Sequence, residues 1–174
     1  MASKTKKIQF LVHKAARKGD HNHLLYLLGL KHSKWFLHIN VLDNHGAYPL
    51  YYAVYNKHPK AVRILVDNGA NVNANGPIAN GWMEYPIHAA CFNGMYKTVK
   101  LLVEKGADIH VKDERGYNSL LFACYRGNMT IVKYLIELGI NIYTVENNGT
   151  NAFTIACLYN RIEIVEYLGN LMLK

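Results

Sequence analysis

Apolar and polar positions along this chain follow a helical rhythm that keeps restarting. In VRILVDNG the apolar Val62, Leu65 and Val66 fall three and four residues apart, and VKYLIELG repeats the spacing with Val132, Leu135 and Ile136. Each stretch predicts an amphipathic helix with one buried face. Gly69, Gly106 and Gly139 stand where such a helix would close in a left-handed cap. Pro49 and Pro86 suit a first helical turn, where the missing N–H costs nothing and φ is preset. Unit starts recur at Pro49, Pro86, Ser119 and Ala152, in two steps of 33 residues and one of 37. No single pair of helices this short can bury its apolar face alone, so consecutive units must stack.

The repetition extends well beyond the helices. DNHGAYPLYYAVYNKHPKAVRILVDNGANVN (43–73) aligns with MEYPIHAACFNGMYKTVKLLVEKGADIH (83–110) and DERGYNSLLFACYRGNMTIVKYLIELGINIY (113–143), and ENNGTNAFTIACLYNRIEIVEYLGNLMLK (146–174) closes the set. A weaker first copy, FLVHKAARKGDHNHLLYLLGL (10–30), keeps the small pair and its glycine without the preceding turn. The turn glycines Gly46, Gly116 and Gly149, the small pair before the second loop, the Val/Ile-x-x-Leu seam and the Gly-Ala or Gly-Ile stop recur together. With YPIHAACFNG close to a T-P-L-H-x-A core, the chain resembles the ankyrin-repeat family over nearly its whole length. NSLLFAC and NAFTIAC keep only the pattern of small and apolar residues. The resemblance implies an all-α ankyrin-repeat solenoid, each unit a turn and two helices with β-turn fingers. It forms a single domain over 1–174, with approximate repeats 6–40 (N-terminal cap), 41–73, 74–110, 111–143 and 144–174 (C-terminal cap). It also implies that His88 braces adjacent loops through a structural hydrogen bond.

Composition then narrows the setting. About half the residues are apolar, enough to form a core without staples. The net charge of +8 is uneven: residues 1–34 carry eight Lys or Arg against Asp20 alone, while the other 140 residues are nearly balanced. No apolar run approaches the ~18 residues expected of a membrane span. IQFLV, cut short by His13, is too brief for a secretory leader. A cytoplasmic, reducing location is the expectation, with no membrane contact. Lys outnumbers Arg fifteen to five, a bias associated with AT-rich genomes. Compact ankyrin proteins that intracellular bacteria and large DNA viruses direct at host proteins are similar, which would place this one in host cytoplasm as an effector or inhibitor.

Candidate chemistry is sparse. Cys91, Cys124 and Cys157 recur at the repeat interval, so stacking separates them by roughly 8–10 Å. That exceeds the reach of a disulfide, about 7 Å between Cα atoms, and of a shared zinc ion. A free cysteine at this step acts as a small buried hydrophobe, and all three are expected to be buried. HNH (21–23), His32 and His38 lack a partner at zinc spacing. A dyad of His88 with Cys91 would lack a third, orienting group. GPIANG (76–81) is turn chemistry, and neither a nucleophile elbow nor a phosphate loop occurs. The expectation is no enzyme activity, no metal and no cofactor.

Function therefore falls to a surface. In the family, fingers and first helices line a concave groove that holds protein partners, and here the positions after each small pair face it: Arg17 and Lys18, Tyr55 and Asn56, Phe92 and Asn93, Tyr125 and Arg126, Leu158 and Tyr159. Tyr and Arg suit interface hot spots, although the same rings could shield the seams between helices. The four extra residues between Asn73 and Pro86 lengthen one finger and carry Trp82. Insertions in repeat proteins collect on one face, often the binding face. Trp82 is therefore the most specific contact candidate, unless it folds back onto its own finger. Asn44, His45, Glu84, Glu114, Arg115, Asn147 and Asn148 would form a polar fingertip rim. Lys4, Lys6, Lys7, Lys14, Arg17 and Lys18 form a basic patch that could meet an acidic partner segment or phosphates. The near-balance of residues 35–174 argues against a nucleic-acid track along the groove. The apolar ending LGNLMLK would suit an oligomer subunit, but a monomer is the expectation. LVDNGANVN (65–73) is similar to ankyrin segments modified by asparaginyl hydroxylases, with Asn73 as the acceptor.

Overall fold

A computed structural model of the chain describes residues 2–29, 39–77 and 83–173, with side chains for 9–29, 39–76 and 84–173. Ten helices lie among these residues and form five hairpins: α1 (Ala2–Lys18) with α2 (His21–Gly29), α3 (Pro49–Tyr55) with α4 (Pro59–Asp67), α5 (Pro86–Phe92) with α6 (Tyr96–Glu104), α7 (Ser119–Arg126) with α8 (Met129–Glu137), and α9 (Ala152–Leu158) with α10 (Ile162–Met172). First helices pack in one row, α1 on α3 on α5 on α7 on α9, and second helices form another row in the same order. The result is an all-α repeat solenoid, as the periodicity requires.

The first helices start in two chemically different ways. Pro49 and Pro86 open α3 and α5 behind the extended Tyr48 and Tyr85. Ser119 and Ala152 lack proline's preset φ, and there Asn118 and Asn151 accept the N–H of Leu121 (3.1 Å) and of Thr154 (2.9 Å) through their side chains. Such a cap is worth about 1 kcal/mol, so NSLLFAC and NAFTIAC replace the proline start with a capped one. The second helices α4, α6 and α8 stop just before Gly69, Gly106 and Gly139, whose φ values of 89°, 87° and 83° lie in the left-handed region. Between the rows, Leu65, Leu102, Leu135 and Leu168 occupy equivalent positions and are all buried. Each contributes roughly 1.5–3 kcal/mol.

The fingers are built by carboxylates at one repeated position. Asp43 accepts the N–H of His45 (2.8 Å) and Ala47 (3.0 Å), Asp113 that of Arg115 (3.0 Å) and Tyr117 (2.8 Å), and Glu146 that of Asn148 (2.9 Å) and Thr150 (3.1 Å). Burial opposes the charged form of Asp43, yet the Ala47 N–H, the Tyr52 hydroxyl and the His45 N–H outweigh it and hold the carboxyl below its ordinary range. The longer finger is closed by a short antiparallel pair, β1 (Gly76–Pro77) with β2 (Met83–Glu84), in register Gly76↔Glu84. Gly76 allows close approach there, since a Cβ would stand 2.6 Å from the Tyr51 ring.

Each unit is tied to the next. His88 Nε2 donates to the Val111 carbonyl at 3.0 Å, which is the brace expected of it, and burial holds the imidazole down to about 4. His13 makes the same bond to Val41 at 2.8 Å, so the first copy keeps the strut although its sequence lacks the turn. The Asn73 amide donates to Gly106 O and accepts from Asp108 N, and Asn40 repeats this one unit earlier. Burial matches expectation for Cys91 and Cys124, whose thiols it pushes well above the ordinary value, but not for Cys157, which is exposed. The correction has a plain cause: among the described residues no further hairpin packs against the outer side of α9.

Candidate partner-binding groove

Beside the row of first helices, the ends of α3, α5 and α7 and the adjoining fingers enclose a groove of about 600 Å³. Its wall is an aromatic ladder. Tyr55 stacks on Tyr51 at 5.6 Å between centroids, Phe92 on Tyr125 at 5.8 Å, and Tyr125 meets Tyr159 at 4.3 Å. Tyr55 and Tyr159 are exposed, while Phe92 and Tyr125 are half-buried. Only the Phe92–Tyr125 stack joins equivalent positions of neighbouring units; Tyr51 and Tyr55 are one turn apart on α3, and Tyr159 stands one place beyond the equivalent Leu158.

The groove opens beside Ala89 of the third hairpin, for a reason readable in one row of residues. Ala89 stands where the other units have Lys14, Tyr52, Phe122 and Ile155, all larger. The missing bulk leaves space bounded by Tyr55, Phe92, Tyr117 and Phe122. Glu84 lines this space, where the equivalent positions hold Ala47, Tyr117 and Thr150. The fingertip placement expected for Glu84 is corrected here: it is 5% exposed, because it stands two residues before α5, in the place of the buried Ala47. Burial raises its carboxyl to about 7, against the opposing pull of Arg115. Arg115 reaches Asp113 through Nε (2.8 Å) and Nη2 (2.7 Å), and its guanidinium lies over Tyr117 at 5.0 Å and Phe122 at 5.5 Å.

Of the residues expected at the partner surface, Tyr55, Glu84, Phe92, Asn93, Arg115, Tyr125 and Tyr159 come together around this groove. Asn56 and Arg126 do not line it. Asn56 turns its amide back to Tyr52 O at 2.9 Å, and Arg126 covers the Phe92 ring at 4.7 Å. Leu158 is exposed, and Tyr159 takes its place in the ladder. Trp82 lies outside the described residues. Asn44, His45, Glu114, Asn147 and Asn148 are exposed, as a rim requires, but the Asn147 amide is already bonded to Glu114 O at 2.8 Å. Lys14, Arg17 and Lys18 are exposed on α1, with Arg17 over Tyr52 at 5.5 Å. Lys4, Lys6 and Lys7 lie on the same helix, their side chains outside the described residues. Ala89, Tyr117 and Phe122 were missed from sequence. Comparing side-chain volume across equivalent positions would have found Ala89.

The family model described as ankyrin repeats (3 copies) matches residues 3–76 and 87–171. The chain belongs to the ankyrin-repeat family, whose repeats are generally protein-interaction modules. No curated protein matches it. Among the described residues no helix is long and apolar enough to cross a membrane, and no three His, Cys, Asp or Glu side chains cluster as a metal site would.

Proposed function

We propose that the protein binds a segment of a partner protein in this groove and performs no chemistry of its own. One observation carries the reading: an open space of about 600 Å³ is walled by the half-buried Phe92 and Tyr125 and by Tyr55 and Tyr159, two large rings left exposed at its edge. Asn93 and Arg115 add directed polar contacts, and Lys14, Arg17 and Lys18 at the α1 end favour approach of an acidic stretch of the same partner. A host-directed role rests on composition alone. Both are tested by affinity capture from a eukaryotic lysate with wild type and with a Tyr55→Ala, Phe92→Ala, Tyr125→Ala variant of unchanged thermal midpoint. A protein retained by wild type and lost by the variant supports the groove, and equal retention by both refutes it.

A further inference from the structure

We infer that the floor of the groove takes a basic side chain, lysine or arginine, from the partner segment, with Glu84 as its counter-ion. The inference rests on the groove being the partner site. Glu84 alone brings charge to a row otherwise filled by Ala47, Tyr117 and Thr150, and it does so at the point where Ala89 opens the space. Its carboxylate forms no ion pair among the described residues. The buried Tyr51 hydroxyl is the polar neighbour that favours its charged form, yet it reaches no described residue with full hydrogen-bond geometry. Buried polar groups left in this state mark a place where a partner's donor completes the set.

Charge and shape agree on the occupant. Arg115 is matched by the two bonds to Asp113, which leaves Glu84 as the groove-lining carboxylate without an ion pair among the described residues. The rings here already accept guanidinium groups, Arg126 over Phe92 and Arg115 over Tyr117 and Phe122, while Tyr55, Tyr125 and Tyr159 line the opening. A cation on an aliphatic stem fits such a site: the stem lies along the rings and the charged head reaches the carboxylate. An acidic or apolar side chain would leave Glu84 and Tyr51 as they are, or repel the former.

Burial keeps Glu84 near half-ionised at neutral pH, and a bound cation favours the ionised form, so binding should tighten as pH rises through about 7. Burial pushes Tyr51 up and His88 down to about 4, so neither changes charge there; Asp113 and Arg115, paired with each other, also face Glu84, the first opposing and the second favouring its charged form.

The test is selection of random 12-residue peptides displayed on phage, using the whole protein as bait and keeping peptides that Phe92→Ala, Tyr125→Ala loses. The expected result is Lys or Arg enriched at one position, binding about tenfold tighter at pH 8 than at pH 6, and a Glu84→Gln variant of intact fold that binds about tenfold more weakly at pH 8 with a flat pH profile. Groove-dependent peptides without a basic residue, with an acidic one instead, or bound equally by Glu84→Gln overturn the basic occupant while leaving the groove standing. Peptides indifferent to the ring substitutions, or none at all, overturn both.

Discussion

Cys124 and Cys157 occupy equivalent positions in consecutive units, at the same step of the first helix, yet one is fully buried and the other exposed. Their local sequences, LFACYRG and TIACLYN, are alike in pattern. The difference is the neighbour: in the row of first helices α7 is flanked by α5 and α9, while among the described residues α9 packs on α7 alone in that row. In a stacked fold, burial belongs to the interface between units, and a residue type reports it only where both neighbours are present.

The sharpest way to test that comparison is thiol labelling of the native protein. Cys157 should react on the order of a thousandfold faster than Cys91 or Cys124, which need local opening and whose thiolates burial disfavours. Three equal rates, followed by mass spectrometry, would break the account. Next in size, Leu135→Ala in the buried seam should cost about 2–5 kcal/mol in denaturant unfolding, whereas Leu158→Ala, on a side chain 70% exposed, should stay within about 0.5 kcal/mol.

A smaller effect separates the groove floor from the open end. The folded-state carboxyl of Glu84 titrates above the unfolded one, so its contribution is fully present below the ordinary pKa of 4.5 and is lost as pH rises through about 7. Glu84→Gln should therefore stabilise the protein by on the order of 2 kcal/mol at pH 8 and by nothing at pH 4, while Leu173→Ala, on an exposed side chain, should stay within about 0.5 kcal/mol at both. His88 works in the opposite sense. Its pKa is lowered, so stability is lost as pH falls from 6.5 through about 4, and removing Glu84's compensation should make the acid limb steeper.

The smallest effect concerns the loop between the two helices. Gly19, Gly94 and Gly127 turn it with positive φ, and Lys57 and Asn160 hold the same conformation at 61° and 54°. Lysine pays a steric cost there that asparagine largely avoids. Lys57→Gly should gain about 0.5–1 kcal/mol after the entropy of the new glycine is subtracted, and Asn160→Gly only a few tenths. A loss of stability in Lys57→Gly would mean that its side chain contributes a contact of its own.

Much of this was legible in the chain itself. The period, the glycine stops, the leucine seam and the ladder positions after each small pair all follow from side-chain size and spacing, because helix geometry maps sequence separation onto a face without help from distant residues. His13 escaped because its strut ends on a carbonyl 28 residues away. Glu84 was read as a fingertip because the four extra residues of its finger obscure that it holds the place of the buried Ala47, two residues before the helix.

What the sequence determined by itself is the solenoid and which rows of side chains face one another. Tertiary structure alone decided which members of a row are buried, since accessibility depends on whether a second unit covers the first. It also decided that a small residue at position 89 and a carboxylate at 84 share one space, as that juxtaposition joins a helix to a finger whose path no periodicity encodes.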